Sequence, residues 1–254
     1  MSDHQRRRSI ILQQLQQTGA VQVGKLSEEL GVTEVTVRRD LAAMERMGLL
    51  LRYHGGAVLP HAMVQDVPFE SKLHDREADK ARIAAAAAAL VPDGSTIALA
   101  AGTTVAAVAR ALKGKTGLTV VTNAVNVAWE VATLPQIHLV VSGGRVREGS
   151  LCMVGPTAEH ALREVAVDIA FVGVNGISRE FGFTTPNQEE AQIHRLMLSR
   201  ARHAVIVSDS SKFGRVAFAR IASPHQIQTL ITDDQAPPNL VEELRQEGVN
   251  VVLV

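Results

Sequence analysis

Seven short apolar runs recur through the last two thirds of the chain: "STIALA" at 95–100, "LTVVTN" at 118–123, "IHLVVSGG" at 137–144, "VDIAFVGV" at 167–174, "RHAVIVSD" at 202–209, "IQTLITD" at 227–233 and "VNVVLV" at 249–254. They are rich in β-branched residues and nearly continuous in hydrophobicity, as strands buried on both faces must be. Helical patterns such as "TVAAVARAL" and "EEAQIHRLMLSRA" separate most of them. Strand and helix in alternation predict a doubly wound, mostly parallel sheet over residues 78–254, an α/β fold. With 254 residues, 46% of them hydrophobic, the chain can bury a core of that size.

Ligands of such sheets bind outside the carboxyl ends of the strands, where each run here gives way to small or polar residues. The first run leads into Gly102, Thr103 and Thr104 at the start of a helix. Glycine permits close backbone approach there, and a helix N-terminus offers free N–H groups and partial positive charge, which suits a phosphate. Thr122 and Asn123, then Ser142, Gly143 and Gly144, then Asn175 and Gly176, and finally Asp209 and Lys212 end other runs. Lys212 supplies a point charge for phosphate, while the asparagines, Asp209 and Glu190 suit sugar hydroxyls. Each alone is the kind of residue turns use; their joint placement at strand ends points to a ligand rim.

The first sixty residues follow a different grammar. Ile11 and Leu15 lie at helical spacing, Val21 and Val23 read as a short extended piece, and Leu26 and Leu30 begin a second helical pattern closed by Gly31. Thr33 then serves as N-cap of a helix that turns Val37, Leu41 and Met44 inward. After it, "LLLRYHGGAV" reads as a wing, with Leu49 and Leu51 inward and a tight turn at Gly55 and Gly56. Glu34, Thr36, Arg38 and Arg39 therefore project outward near the start of the second helix of a helix-turn-helix, the part that enters a major groove. Arginine offers bidentate donors to guanine or phosphate, and Asp40 pairs within the domain or orients an arginine. Arg52 and His54 on the wing, and Arg7 with its neighbours Arg6 and Arg8, are candidate phosphate contacts. The expected division is a DNA-binding domain at 1–58, a linker at 59–77 and an effector-binding domain at 78–254.

Charge adds little, because 26 basic side chains balance 26 acidic ones, and residues 1–60 hold eight basic against six acidic. The single cysteine, Cys152, excludes an internal disulfide and sits in an apolar setting that suits an inert packed thiol. Nine histidines show no metal-ligand spacing, so neither metal nor cofactor is expected. Trp129 reads as a core or interface aromatic. No secretory leader and no apolar stretch of ~18 residues occurs, which predicts a cytoplasmic protein without a membrane partner.

The motifs carry a resemblance. Arg7, Ile11, Leu15, Thr33, "TVRRDL" and the wing "LLLRYHGGAV" resemble the winged helix-turn-helix of the DeoR family of bacterial sugar-metabolism regulators. "EADKARIAAAAAALVPDGSTIAL", "VVTNAVNVA", "VVSGGRVREGSLCMVGP", "VDIAFVGVNGI", "GFTTPNQEEAQIHR" and "SDSSKFGR" follow in the family's order. Two departures stand out: Ala100 where an aspartate is usual, and His194 where lysine is common. The resemblance implies a DNA-binding transcriptional regulator, a repressor of a sugar or polyol operon acting as a homo-oligomer on double-stranded operator DNA. It also implies a C-terminal domain similar to ribose 5-phosphate isomerase that binds a phosphorylated sugar or polyol. An isomerase is the competing function. Aldose isomerisation needs a carboxylate base, whereas the matching loop, Val172 to Gly176, contains no acid, so an enzyme is not expected.

Overall fold

The computed structural model describes residues 3–18, 20–47, 49–53, 55–58 and 69–254. His54 and residues 59–68 of the expected linker fall outside them.

The N-terminal part runs α1 (Asp3–Thr18), β1 (Ala20–Gln22), α2 (Val23–Leu30), α3 (Glu34–Arg46), β2 (Leu51–Tyr53) and β3 (Gly56–Val58). Gly31 adopts φ 63° to close α2, and the Thr33 hydroxyl accepts the Thr36 N–H to open α3. Ile11, Leu15, Val23, Leu26, Val37, Leu41, Met44 and Leu50 meet in one small core. The wing differs from expectation in two respects. Its register places Leu50 inward and leaves Leu49 and Leu51 exposed. Its strand order is β1-β3-β2, so the short piece before α2 completes a three-stranded antiparallel sheet and Val23 already belongs to the helix.

Asp40 fixes this unit. It is buried on α3 and accepts Arg7 Nε at 2.9 Å and Arg8 Nε at 3.0 Å, tying the first helix to the third. A carboxylate out of water needs such partners, and two guanidinium groups supply them.

The chain continues through α4 (Phe69–Leu73), α5 (Glu77–Ala89), β4 (Thr96–Leu99), α6 (Thr103–Ala111), β5 (Leu118–Thr122), α7 (Val125–Ala132) and β6 (Ile137–Val141). There follow β7 (Arg145–Arg147), β8 (Cys152–Val154), α8 (Pro156–Arg163), β9 (Val167–Val172), β10 (Gly176–Ser178), β11 (Gly182–Thr185) and α9 (Gln188–Ser199). The last elements are β12 (Ala201–Val207), β13 (Ala219–Ala222), β14 (Thr229–Thr232), α10 (Pro238–Gln246) and β15 (Asn250–Leu253). The seven apolar runs are the seven strands of one parallel sheet, ordered β15-β14-β12-β9-β4-β5-β6. Alanines 84, 87 and 88 of α5 and 106, 107 and 109 of α6 are buried in the core beside that sheet, where small side chains let helices approach closely.

Two additions escaped the sequence pattern: the hairpin β7–β8, and an antiparallel sheet β10-β11-β13. Their strands are three or four residues long, too short for a period to show. Trp129 is 75% exposed, which removes the core half of its expected role.

Gly176 opens β10 where a Cβ would meet Arg215 O and Thr184 Oγ1, each at 2.6 Å. Neither backbone nor paired hydroxyl can retreat, so Gly176→Ala should destabilise the protein by about 1–3 kcal/mol. Urea unfolding checks this; an unchanged midpoint would show that the hairpin can move aside.

Candidate functional site

Two polar surfaces stand out. On the first, α3 presents Glu34, Val35, Arg38 and Arg39 to solvent while Val37, Leu41 and Met44 close its inner side. Arg38 is held by Glu34 one turn earlier at 2.6 Å, and Arg39 makes no ion pair among the described residues. Thr36 is half-buried, its hydroxyl 3.0 Å from that of Thr33. Arg7 is turned toward Asp40 and is 20% exposed, so it braces α3 instead of standing free. Arg52 belongs to the wing, where its backbone N–H donates to Glu45 Oε1 at 2.9 Å.

The second surface is a cleft outside the carboxyl ends of β4, β9 and β12. Neighbours β4 and β9 mark the place where the chain reverses its direction of travel across the sheet: β5 and β6 extend one way, β12, β14 and β15 the other. Of the strand-end residues expected to bind a ligand, Gly102, Thr103, Thr104, Asn175, Glu190, Asp209 and Lys212 line this cleft together. Gly102 has φ 134° and no side chain caps α6, so the first-turn N–H groups of that helix open onto the cleft beside Thr103 and Thr104.

The remaining expected residues do not line it, and each is accounted for within the fold. Thr122 is wholly buried and donates to Leu99 O at 2.7 Å, while Asn123 donates to Met153 O at 3.2 Å. Ser142 is buried with its hydroxyl on Gly143 O, and Gly143 and Gly144 have positive φ; at Gly144 a Cβ would meet Val154 O at 2.8 Å. Gly176 is confined by close backbone approach. Ala100 is buried and outside the cleft, its N–H bonded to Phe171 O.

Several cleft residues were missed at the level of sequence. Lys72 comes from α4, Arg76 from the cap of α5 and Lys80 from α5, inside or just after the expected linker, and Ser150 from the turn before β8; Ser211, which the sequence placed on the rim, lines the cleft as well. Arg76 donates to Asp79 (2.7 Å), Ser210 (2.6 Å), Asp233 (3.1 Å) and Gln235 (3.0 Å), and lies 3.5 Å from Asp209. Burial alone would lower its pKa; the hydrogen bond to Asp79 and the charges of Asp233 and Asp209 overcome this and raise it. Asp209 in turn accepts the Ser211 N–H and lies 3.7 Å from Lys212 Nζ. Burial pulls the pKa values of Lys72 and Lys80 down, against the raising charges of Glu190 and Asp209 respectively, and the Lys212 charge adds to the lowering.

At the opposite end, Glu190 is buried and receives Arg147 at 3.2 Å, and its burial raises its pKa against that arginine. Cys152 lies nearby with its thiol pushed up to about 12 by burial, an inert packed group. His194, one turn beyond Glu190, is buried; among the described residues neither ring nitrogen is hydrogen-bonded, Nε2 lies 3.9 Å from Glu190 Oε1, and burial depresses its pKa to about 4.

The two surfaces match two known domains. Residues 7–63 match the DeoR-like helix-turn-helix domain and residues 75–234 the DeoR C terminal sensor domain. The chain belongs to the DeoR family. Its DeoR-family relatives include the HTH-type transcriptional regulator GlpR of Haloferax volcanii, 35% identical over 91% of this chain and 90% of that one. The glycerol-3-phosphate regulon repressor of Escherichia coli K12 is 30% identical over 96% of both chains. A protein of Escherichia coli O157:H7, named by inference as an aga operon transcriptional repressor, is 36% identical over 98% and 93%. Among solved structures, ribose 5-phosphate isomerase A from Methanocaldococcus jannaschii aligns with TM-score 0.40 at 22% identity over 53% of each chain. The full-length sorbitol operon regulator SorC from Klebsiella pneumoniae aligns at 0.41, 11% identical, over 92% and 91%. This DeoR-family chain is a transcriptional regulator, not an enzyme. No helix among the described residues is long and apolar enough to cross a membrane.

His194 yields a signed prediction. The unfolded chain takes up a proton near the ordinary value of 6.5, whereas the folded chain resists until about 4. Stability must therefore fall as pH drops from 6.5 to 4, by roughly 1–3 kcal/mol from this group. His194→Leu should be at least as stable at pH 7.5, because it removes a buried polar group that makes no hydrogen bond among the described residues, and should lose less stability than the parent on acidification. Urea midpoints across that pH range decide; parallel losses would acquit His194.

Proposed function

We propose that this regulator is a repressor of a sugar or polyol operon that binds a phosphorylated metabolite in the cleft between β4 and β12 and changes its operator affinity in response. The observation that carries this is the uncapped N-terminus of α6 facing Lys212, Lys80 and Ser211 across one cleft. Free N–H groups, a helix dipole and lysine charges together suit a phosphate. Asn175, held by the Thr185 hydroxyl at 3.1 Å, and Glu190 at the other end suit the hydroxyls of its carbon chain. The name of one relative, the glycerol-3-phosphate regulon repressor, supports the same ligand class.

In this reading Arg38 and Arg39 contact bases and phosphates, Glu34 aims Arg38, and Arg52 touches backbone phosphate beside the helix. One such reader gives modest specificity, so the working unit is a homo-oligomer whose half-site centres lie ~34 Å or a multiple apart. Residues 59–77 join an operator reader at 1–58 to a sensor at 78–254. Reader and sensor also touch directly: Gln22 Nε2 donates to Glu180 O at 3.2 Å, and Lys25 Nζ lies 3.9 Å from Glu180 Oε1. A ligand shifts operator affinity only through its differential affinity for two arrangements, and this contact is one that can differ between them.

The expected separation is concrete. Arg38→Ala and Arg39→Ala should each weaken operator binding by about 1–3 kcal/mol without altering metabolite binding. Thr103→Ala combined with Lys212→Ala should keep operator binding but lose the response to a panel of sugar phosphates. Fluorescence anisotropy of labelled operator at fixed salt measures both. A normal metabolite response from the double variant would place the phosphate elsewhere.

A further inference from the structure

Val35 is 72% exposed in the first turn of α3, yet it is aliphatic. It cannot serve the core. At 100° per residue it lies about 200° from Val37 and 180° from Met44, opposite the buried stripe. Nor does it serve the helix: a β-branched residue at an exposed position helps helix formation less than alanine, lysine or glutamate would. Its helical neighbours three and four residues on are Arg38 and Arg39, the first anchored by Glu34 at 2.6 Å. The Thr33 and Thr36 hydroxyls are 3.0 Å apart and engage each other at the cap. An apolar group thus stands among charged ones on the turn that penetrates deepest when a recognition helix enters a major groove.

The floor of the major groove carries one apolar feature, the C5-methyl group of thymine. Resting on the DNA-facing role of α3 proposed above, we infer that Val35 is a specificity-determining residue that packs against a thymine methyl, so that each operator half-site places a thymine next to the base pair read by Arg38 or Arg39. The arginines select guanine by donating hydrogen bonds, and Val35 selects thymine by excluding water from its methyl. Neither can do the other's work, because cytosine lacks the methyl and thymine lacks guanine's paired acceptors. Burying one methyl against another is worth a several-fold change in affinity, smaller than the loss of a bidentate arginine contact.

The test uses the full chain. Duplexes selected from a random library define the half-site, and each thymine is then replaced singly by deoxyuridine, which deletes only the methyl. One such replacement per half-site should weaken the parent about threefold to tenfold. Val35→Ala, at an exposed helical position where alanine favours the helix slightly, should not lower the melting temperature, yet should lose the same factor on the thymine operator and be indifferent to deoxyuridine at that one base. Equal operator binding by parent and Val35→Ala would overturn the inference. So would a weakened variant that still responds to every deoxyuridine as the parent does. A Val35→Ala defect in oligomeric state alone would assign the side chain to a protein contact and overturn it too. Should the parent select no sequence at all, the operator-reading role of α3 falls and this inference with it; a selected operator without the methyl effect sinks only the latter.

Discussion

A single guanidinium group holds the rim of the sensor cleft. Arg76 sits in a left-handed conformation, φ 52°, at the cap of α5, and from there reaches the ends of two strands: Asp209 and Ser210 after β12, and Asp233 after β14. Asp233 is wholly buried and Asp209 nearly so, and carboxylates out of water are tolerated only when paired and hydrogen-bonded. Because Asp209 also fixes Ser211 and faces Lys212, the arginine that neutralises the rim indirectly positions the cation that a phosphate would meet. The cleft is thus lined by charges that already engage one another: Lys212 lies against Asp209 and Lys80 Nζ donates to Lys72 O.

The parallel sheet explains why these groups meet at all. Every strand of a parallel sheet points the same way, so the small and polar residues that end the runs gather on one side of the molecule. Only at the boundary between β4 and β9 do the following segments diverge, the helix α6 turning to one side and the chain after β12 to the other. The cleft lined by Gly102, Thr103, Asn175 and Asp209 lies at that boundary. Strand ends farther out, at Thr122 and Ser142, are buried and make their own hydrogen bonds, and the chain after Thr122 bridges to the β7–β8 hairpin at Cys152, so they lie outside the cleft.

In the reader, Asp40 plays the corresponding part. By engaging Arg7 and Arg8 it braces α1 against α3. The adjacent Arg38 and Arg39 stay outside because the helical period carries them away from the Val37–Leu41–Met44 stripe. One short stretch thereby encodes a brace and an exposed pair of arginines on different sides of a helix.

Periodicity and local chemistry made much of this legible before any coordinates. The seven strands, the Gly31 turn, the Thr33 cap and the helix N-terminus at Gly102 to Thr104 follow from patterns confined to a few neighbouring residues. What neighbours could not decide depended on long-range placement. The wing register came out one residue away from expectation because three consecutive leucines leave the inward face undetermined until β1 pairs with β3 and the core selects Leu50. Lys72, Arg76 and Lys80 join the cleft only because α4 and α5 fold back across strand ends more than a hundred residues distant in sequence. By itself the sequence determined the seven parallel strands, their alternation with helices and the family; the tertiary structure added the short antiparallel strands and decided which glycine-, serine- and asparagine-rich turns line the cleft. The physical reason is that turn residues look alike locally, and a binding site is defined by which of them burial leaves open.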